Sequence, residues 1–581
     1  MTLDGEGAAR IERDLALLYG PEQAAVVRGR FDHLLTEYAQ QRAADKPPIE
    51  PLSERDAVLI TYGNTLLGAG EPPLDTLGHF LSEHVGGAIS IVHLLPIFPY
   101  SSDDGFSVVD YRAVNPELGD WPNVRALAEQ YGLALDLVLN HCSRSHRWFH
   151  DFVAGRVTAK EWFIEADPNE PKLALVTRPR STPLLTPVDV GVEGRRWVWT
   201  TFSPDQVDLN FKNPEVLVAF VGILLLYLRM GARMLRLDAV AYVWKTLGTT
   251  CTSLPEVHAI VRILRALVDV AEPGTLLLTE TNVPTPENLS YLGQGDEAHL
   301  VYQFSLPPLL LHALWRGDTT VLRNWLLALP EPPPGTAYLN FTASHDGGGL
   351  RPLEGLIETH ERDAMLADMR ARGGFVSPRR LADGSEAPYE LNISYFSALH
   401  DHDGEEMRFA RFLLTQTLAM SLRGLPALYI HSLLATANDF HGVEQTGNLR
   451  AINRRRWDWG ELSYLLQQPH AIHTRCLRTL TQRLRVRAQH PAFHPQAAQQ
   501  VLDLGDKVFG LVRAAQDGEA VLCVFNFTGE PQRVALTALP FIPHPAGDLL
   551  ETRAVLRTGE SLELAPYATA WLVPGPVGEA A

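Results

Sequence analysis

Eight short apolar, β-prone runs recur along the chain, most of them separated by helical patterns. They are AVLITY (57–62), ISIVHLLP (89–96), LALDLVLN (133–140), ARMLRLDA (232–239), TLLLTE (275–280), AHLVYQF (298–304), AYLNFTASHD (337–346) and LPALYIH (425–431). The runs are continuous rather than alternating, the pattern of strands buried on both faces of a parallel sheet. Eight such strands with intervening helices predict an α/β fold, a (β/α)8 TIM barrel. An open doubly wound sheet is the competitor, weakened because no GxGxxG follows any run.

The spacing is uneven. The stretches after the third and seventh runs exceed a simple helical crossover, which predicts inserted subdomains at the C-terminal face, where barrels build their active sites. Near the C-terminus the texture changes to short alternating strands with Gly and Pro turns, as in AVLCVFNFTGEPQRVAL and YATAWLVP. The expected organisation is an N-terminal helical extension (1–55) ending at a Lys46-Pro47-Pro48 linker signal, then barrel segments at 56–141, 206–346 and 411–495. An inserted domain at 142–205 follows the third strand, a second inserted subdomain at 347–410 follows the seventh, and an all-β domain occupies 496–581.

Composition narrows the function. A net charge of −18 argues against general nucleic-acid or anionic-membrane binding. The longest apolar run, 216–228, is shorter than the roughly 20 residues a bilayer span needs and reads as a deeply buried helix. No basic segment followed by an apolar core marks a signal peptide. The four cysteines are scattered, with no CxxC pair. A cytoplasmic protein with reduced thiols, no nucleic-acid partner and no membrane partner is expected.

Polar residues crowd the ends of the apolar runs: Asp136, Asn140 and His141 at the third, Arg236 and Asp238 at the fourth, Glu280 at the fifth, His345 and Asp346 at the seventh. Any one of these acids has a bland reading as a helix cap; together they mark the functional end of a barrel. Asp238 and Glu280 fall on sequential strands, spaced about 4.8 Å. Their carboxyl groups are expected to approach to about 5 Å, the separation of a retaining glycosidase pair. Arg236 shares a strand face with Asp238 and is expected to keep it ionised as the nucleophile. Glu280 follows an apolar run, where desolvation raises a carboxyl pKa and suits a general acid. Asp346 is then left to bind sugar hydroxyls and support oxocarbenium-like charge. His141 and His345 suit sugar-hydroxyl hydrogen bonds. A His–Asp metal site is their rival reading, but no metal-ligand spacing accompanies them, so neither metal nor cofactor is expected.

The same residues carry a family resemblance. DLVLNH (136–141), RMLRLDAV (233–240), LLLTE (276–280) and NFTASHD (340–346) resemble, in order, the four signature regions of the α-amylase-type glycoside hydrolases, family 13, and GLPALY (424–429) resembles the family's eighth-strand motif. The resemblance implies a nucleophile at Asp238, an acid/base at Glu280 and a transition-state-stabilising aspartate at Asp346.

A narrower resemblance covers nearly all of the chain after residue 55. HLLPIFPYSSDDGFSVVDY (93–111), TRPRSTPLLTP (177–187), WTTFSPDQVDLN (199–210), RLDAVAYVWKTLGTTC (236–251) and GNLRAINR (447–454) resemble the sucrose phosphorylase subfamily. This implies small-molecule partners, an α-glucoside and inorganic phosphate. It implies that Asp103 and Arg450 close the far side of the glucose pocket, that Phe106 is a hydrophobic platform and that Arg180 contacts phosphate. Where sucrose phosphorylases carry a histidine two residues after the acid/base, this chain has Asn282. With TETNVP (279–284), GDEAHLVYQFSLPPLLLHAL (295–314) and the helical extension, this departure most resembles the glucosylglycerate phosphorylases. Sucrose, sucrose 6′-phosphate and glucosylglycerol phosphorylases, or a related hydrolase, are the alternatives. A glycerate leaving group calls for a cation on the acceptor side, with Lys245, Arg180, Arg379 and Arg380 as candidates. Oligomeric state is left open, with a homodimer among the options.

Overall fold

The computed structural model describes residues 5–42, 48–381, 383–400, 403–541, 543–552 and 554–574. Lys46 and Pro47 of the linker signal and the outer ends of the chain lie outside the described residues. All eight apolar runs form strands: β1 (Val58–Thr61), β2 (Ile91–Leu94), β3 (Gly132–Val138), β4 (Ala232–Asp238), β5 (Leu276–Thr279), β6 (Leu300–Tyr302), β7 (Ala337–Phe341) and β8 (Leu425–Tyr429). They close in chain order into one parallel barrel, with β8 returning to β1 through Val58↔Ala427. Almost every strand residue is buried, because side chains fill the inside of the barrel and helices cover the outside.

The segment after β3 carries an antiparallel hairpin, Leu185–Val190 with Gly194–Trp199, and a small pairing of His141–Ser143 with Gln206–Asp208. The segment after β7 folds as a three-stranded sheet in which Glu386–Asn392 lies between Gly348–Gly349 and Phe375–Arg380. Both excursions leave from strand C-termini and wall the same end of the barrel.

The N-terminal extension forms two helices, α1 (Gly5–Tyr19) and α2 (Pro21–Gln41). The apolar stripe of α2, Ala24, Val27, Phe31, Leu35 and Tyr38, is buried and follows helical i, i+3, i+4 spacing. These helices pack on two barrel helices, α3 (Pro214–Arg229) and α4 (Pro255–Ala271). The Asp14–Arg262 pair (2.8 Å) and the Tyr38 hydroxyl on Glu272 (2.8 Å) pin them there. This contact explains why α3 is apolar around most of its circumference: its outer side faces protein, not water. Among the described residues no helix is long and apolar enough to cross a membrane.

At the C-terminus a five-stranded and a three-stranded antiparallel sheet pair. Trp571 donates to the Ser421 hydroxyl at 2.7 Å and Arg513 to the Ser421 carbonyl at 2.9 Å, docking this domain on the helix that precedes β8.

Candidate active site

Strand register brings the central groups together. Between β3 and β4, Asp136 pairs with Arg236 and Val138 with Asp238. Between β4 and β5, Leu237 pairs with Thr279, so Glu280 follows beside Asp238, one interstrand spacing of about 4.8 Å away. The Glu280 amide donates to the Leu237 carbonyl at 3.1 Å. Glu280 Oε2 accepts from the Ala239 amide at 3.0 Å. Ala239 sits at φ 48°, a left-handed conformation that an alanine adopts only under constraint; here it accompanies an N–H turned onto a carboxylate.

Arg236 lies directly beneath. It is 2% exposed, donates to Asp238 Oδ1 at 2.8 Å, and makes a still shorter bond to Asp136. Asp136 is bonded on its other side to His93 Nε2 of β2 at 2.8 Å. The nucleophile candidate is thus tied through a buried guanidinium to two further strands.

Beyond β7, Asp346 Oδ1 meets Arg450 Nη1 at 2.7 Å. Arg450 comes from the turn Leu449–Asn453 after β8 and also grips Glu390 through Nε at 3.0 Å and Nη2 at 3.1 Å. Asp103 Oδ1 stands 3.9 Å from Arg450 Nη1, and Gln206 Nε2 donates to Asp103 Oδ2 at 3.3 Å. Asp103 and Asp104 both have positive φ, 53° and 48°, a second constrained turn at the rim. His141 Nε2 is 3.0 Å from the Phe106 carbonyl and 3.2 Å from Gln206 Nε2. One face of Phe106 is covered by His345, stacked at 4.8 Å and 5°, and the Arg236 guanidinium lies 5.5 Å from its centroid.

Asp103, Phe106, His141, Arg180, Asp238, Glu280, His345, Asp346 and Arg450 line one pocket, with Arg236 under its floor. Burial pushes both Asp238 and Glu280 up, and Arg236 opposes this at each. Arg236, the expected stabiliser of ionised Asp238, thus acts against burial and against the charges of Glu280, Asp136 and Asp346. Asp238 and Glu280 repel across the pocket, so they titrate as a pair, and their proton-loss steps belong to the pair. Burial alone would raise Asp346 as well, but Arg450, Arg236, Arg454 and Arg180 hold it below the usual carboxylate range. His345 and His141 are pushed down, first by burial.

Of the four cations named for the acceptor side, Arg180 alone lines the pocket. Lys245 Nζ is locked on Asp208 at 2.6 Å and Asn140 at 2.7 Å. Arg379 pairs with Glu354 at 2.8 Å, and Arg380 is exposed. Glu390 is the residue that sequence reasoning missed. It is 3% exposed, accepts from the Gly347 amide at 2.5 Å, and lies 3.4 Å from Arg180 Nη1. Burial would raise its pKa, yet Arg450 and Arg180 hold it down. No strand-end signal marks it, since only the Gly349↔Glu390 register of the inserted sheet carries it into the pocket. Its neighbour Tyr389 holds the Arg180 guanidinium 5.3 Å from its ring centroid.

Comparison with known proteins agrees with this fold. A family described as alpha amylase, catalytic domain, matches residues 87–320. One described as D-apionate lactonase, C-terminal immunoglobulin-like domain, matches 505–572. The chain is 41% identical to the glucosylglycerate phosphorylase of Spirochaeta thermophila, covering 98% of this chain and 99% of that one. It is 42% identical to the glucosylglycerate phosphorylase of Allomeiothermus silvanus, covering 96% and 97%. The crystal structure of sucrose 6F-phosphate phosphorylase from Thermoanaerobacter thermosaccharolyticum superposes with a TM-score of 0.71 at 25% identity, over 81% of this chain and 94% of that one.

Proposed function

Since the chain belongs to the glucosylglycerate phosphorylases of the α-amylase family, we propose that it reversibly converts 2-O-α-glucosyl-D-glycerate and phosphate to α-D-glucose 1-phosphate and D-glycerate. The observation that carries a phosphorylase over a hydrolase is Arg180. Its guanidinium shares the pocket of the carboxylate pair and is held there by a buried carboxylate, Glu390.

The chemistry is a double displacement. Asp238 attacks the anomeric carbon as the bond to the glycerate oxygen breaks, and Glu280 delivers its proton to that oxygen. A β-glucosyl ester on Asp238 results. Of the two acids, Asp238 is the one in direct contact with a guanidinium, so with one proton shared the ionised partner is Asp238 and the protonated one Glu280. Arg450, bridging Asp346 and Glu390, orients Asp346 toward the sugar hydroxyls.

In the second step a phosphate oxygen attacks the same carbon. The ester bond breaks, Asp238 leaves as carboxylate, and the proton of monoprotic-anion phosphate passes to Glu280. Two inversions give retention. Water is far more abundant than phosphate, so the site must hold the anion in line. A guanidinium's forked donors do this for a tetrahedral anion. The four buried free cysteines fit a reducing compartment, and the cytoplasm is the location proposed.

The test is to supply glucosylglycerate with and without phosphate and follow products by NMR. Phosphate-dependent α-glucose 1-phosphate is expected; phosphate-independent release of glucose refutes the reading. The reverse reaction with glycerate, glycerol, fructose and fructose 6-phosphate separates the alternatives by phosphate released.

A further inference from the structure

The arginines around the pocket are almost all neutralised by carboxylates. Arg236 has Asp136 and Asp238, Arg450 has Asp346 and Glu390, Arg180 has Glu390, and Arg454 has Asp104 at 2.7 Å. Arg351 differs. Among the described residues its side chain makes no hydrogen bond and no ion pair, and its Nε is buried without a partner. A guanidinium kept partly out of water with no counter-charge is unfavourable unless something else supplies one.

Its place in the fold says what that is. Arg351 opens the short turn Arg351–Leu353 directly after Gly348–Gly349. The Leu350 amide donates to the Tyr389 carbonyl at 2.9 Å, so Arg351 is anchored beside the strand that carries Tyr389 and Glu390 into the pocket. Its charge acts on the hydroxyls of Tyr389 and Tyr242, and both of these also feel Glu280. Arg351 does not itself line the pocket, but Tyr389, whose strand it is anchored to, does.

Asn282 lines the pocket two residues after Glu280, and its Oδ1 is buried with no partner. Gly349 leaves room for it: a Cβ at that position would lie 2.4 Å from Asn282 Oδ1. An unpaired acceptor in the pocket thus lies against Gly349, two residues before an unpaired cation that stands outside the pocket lining.

We propose that Arg351 and Asn282 form the acceptor-specificity site, Arg351 binding the carboxylate of a small hydroxy acid and Asn282 accepting a hydrogen bond from one of its hydroxyls. This deepens the functional reading above and rests on it. The inserted sheet after β7 then selects a charged acceptor, while the barrel strands perform the glucosyl transfer.

The test compares glycerate with glycerol, which lacks the carboxylate, as acceptors for α-glucose 1-phosphate in the wild type, Arg351→Met and Arg351→Gln. A charge-assisted hydrogen bond supports a preference of about 10-fold or more. The ratio of kcat/KM for glycerate over glycerol is expected to fall by at least about 10-fold in both variants, mainly through the KM for glycerate. General damage to the fold lowers both rates and leaves the ratio in place. A ratio unchanged within about threefold in both variants overturns the assignment. A wild-type enzyme that transfers glucose to neither glycerate nor a related hydroxy acid overturns instead the functional reading, before any variant is compared.

Discussion

Replacing Arg236 with methionine tests how this site holds a nucleophile in a buried place. The guanidinium is 2% exposed and stands 2.8 Å from Asp238, with Asp136 on its other side. Unit charges about 4 Å apart at an effective dielectric of about 20 attract by roughly 4 kcal/mol. Losing that attraction makes Asp238 a weaker acid, with its dissociation constant lower by about 10³-fold. Burial already pushes Asp238 up, so nothing else in the pocket compensates. The variant should lose up to about 10³-fold in kcat/KM near neutral pH, and the acidic limb of its pH profile should move to higher pH. Stripping one partner from a buried ion pair also costs about 3–5 kcal/mol; Asp136 keeps its bond to His93, which favours the lower end. The assay is phosphorolysis of α-glucosyl fluoride across pH, with urea unfolding alongside. A variant slowed at all pH values by one factor, with its acidic limb in place, refutes the electrostatic role and leaves Arg236 a packing residue.

Glu280→Gln and Asp238→Asn should separate acid from nucleophile. In kcat/KM for the donor, which reports formation of the glucosyl ester, the first loses at least about 10³-fold with glucosylglycerate and far less with α-glucosyl fluoride, whose leaving group needs no proton, whereas the second loses that much with both. Equal losses of the first variant on both donors refute the acid role. Lys245→Met breaks a buried pair with Asp208 and should cost about 3–5 kcal/mol in urea unfolding while leaving the glycerate-to-glycerol preference intact; a changed preference places Lys245 at the acceptor after all. Gly349→Ala puts a methyl 2.4 Å from Asn282 Oδ1 without backbone strain, so it should lower stability by about 1–3 kcal/mol and raise the KM for glycerate, readable from melting curves and initial rates. Acid should destabilise the protein in two stages, measured by urea titration against pH. His345 and His141 are held neutral in the fold, so stability present above about pH 6.5 declines as the unfolded chain takes up protons below it. Asp346 and Glu390 are depressed, so their contribution is full above about pH 4 and is lost as pH falls through their native values. A profile flat from pH 7 to about 5 contradicts the histidine stage, and one flat below about pH 4 contradicts the carboxylate stage.

The eight apolar runs determined the barrel by themselves, because strands covered on both faces need continuous hydrophobicity and that pattern is written locally. The polar residues ending those runs were legible for the same reason: a strand's last residue lies at the barrel's C-terminal rim whatever the rest of the chain does. Asp238, Glu280 and Asp346 could thus be brought together from sequence. Glu390 could not, since it sits within an antiparallel sheet whose register is set by Gly348–Gly349 across from it, and no local pattern encodes that pairing. The fates of the basic residues were equally hidden. Lys245, Arg379 and Arg351 look alike as letters, but two are neutralised by carboxylates distant in sequence and one is not. Charge pairing is a long-range property, so only the folded chain decides which cation remains available for a substrate.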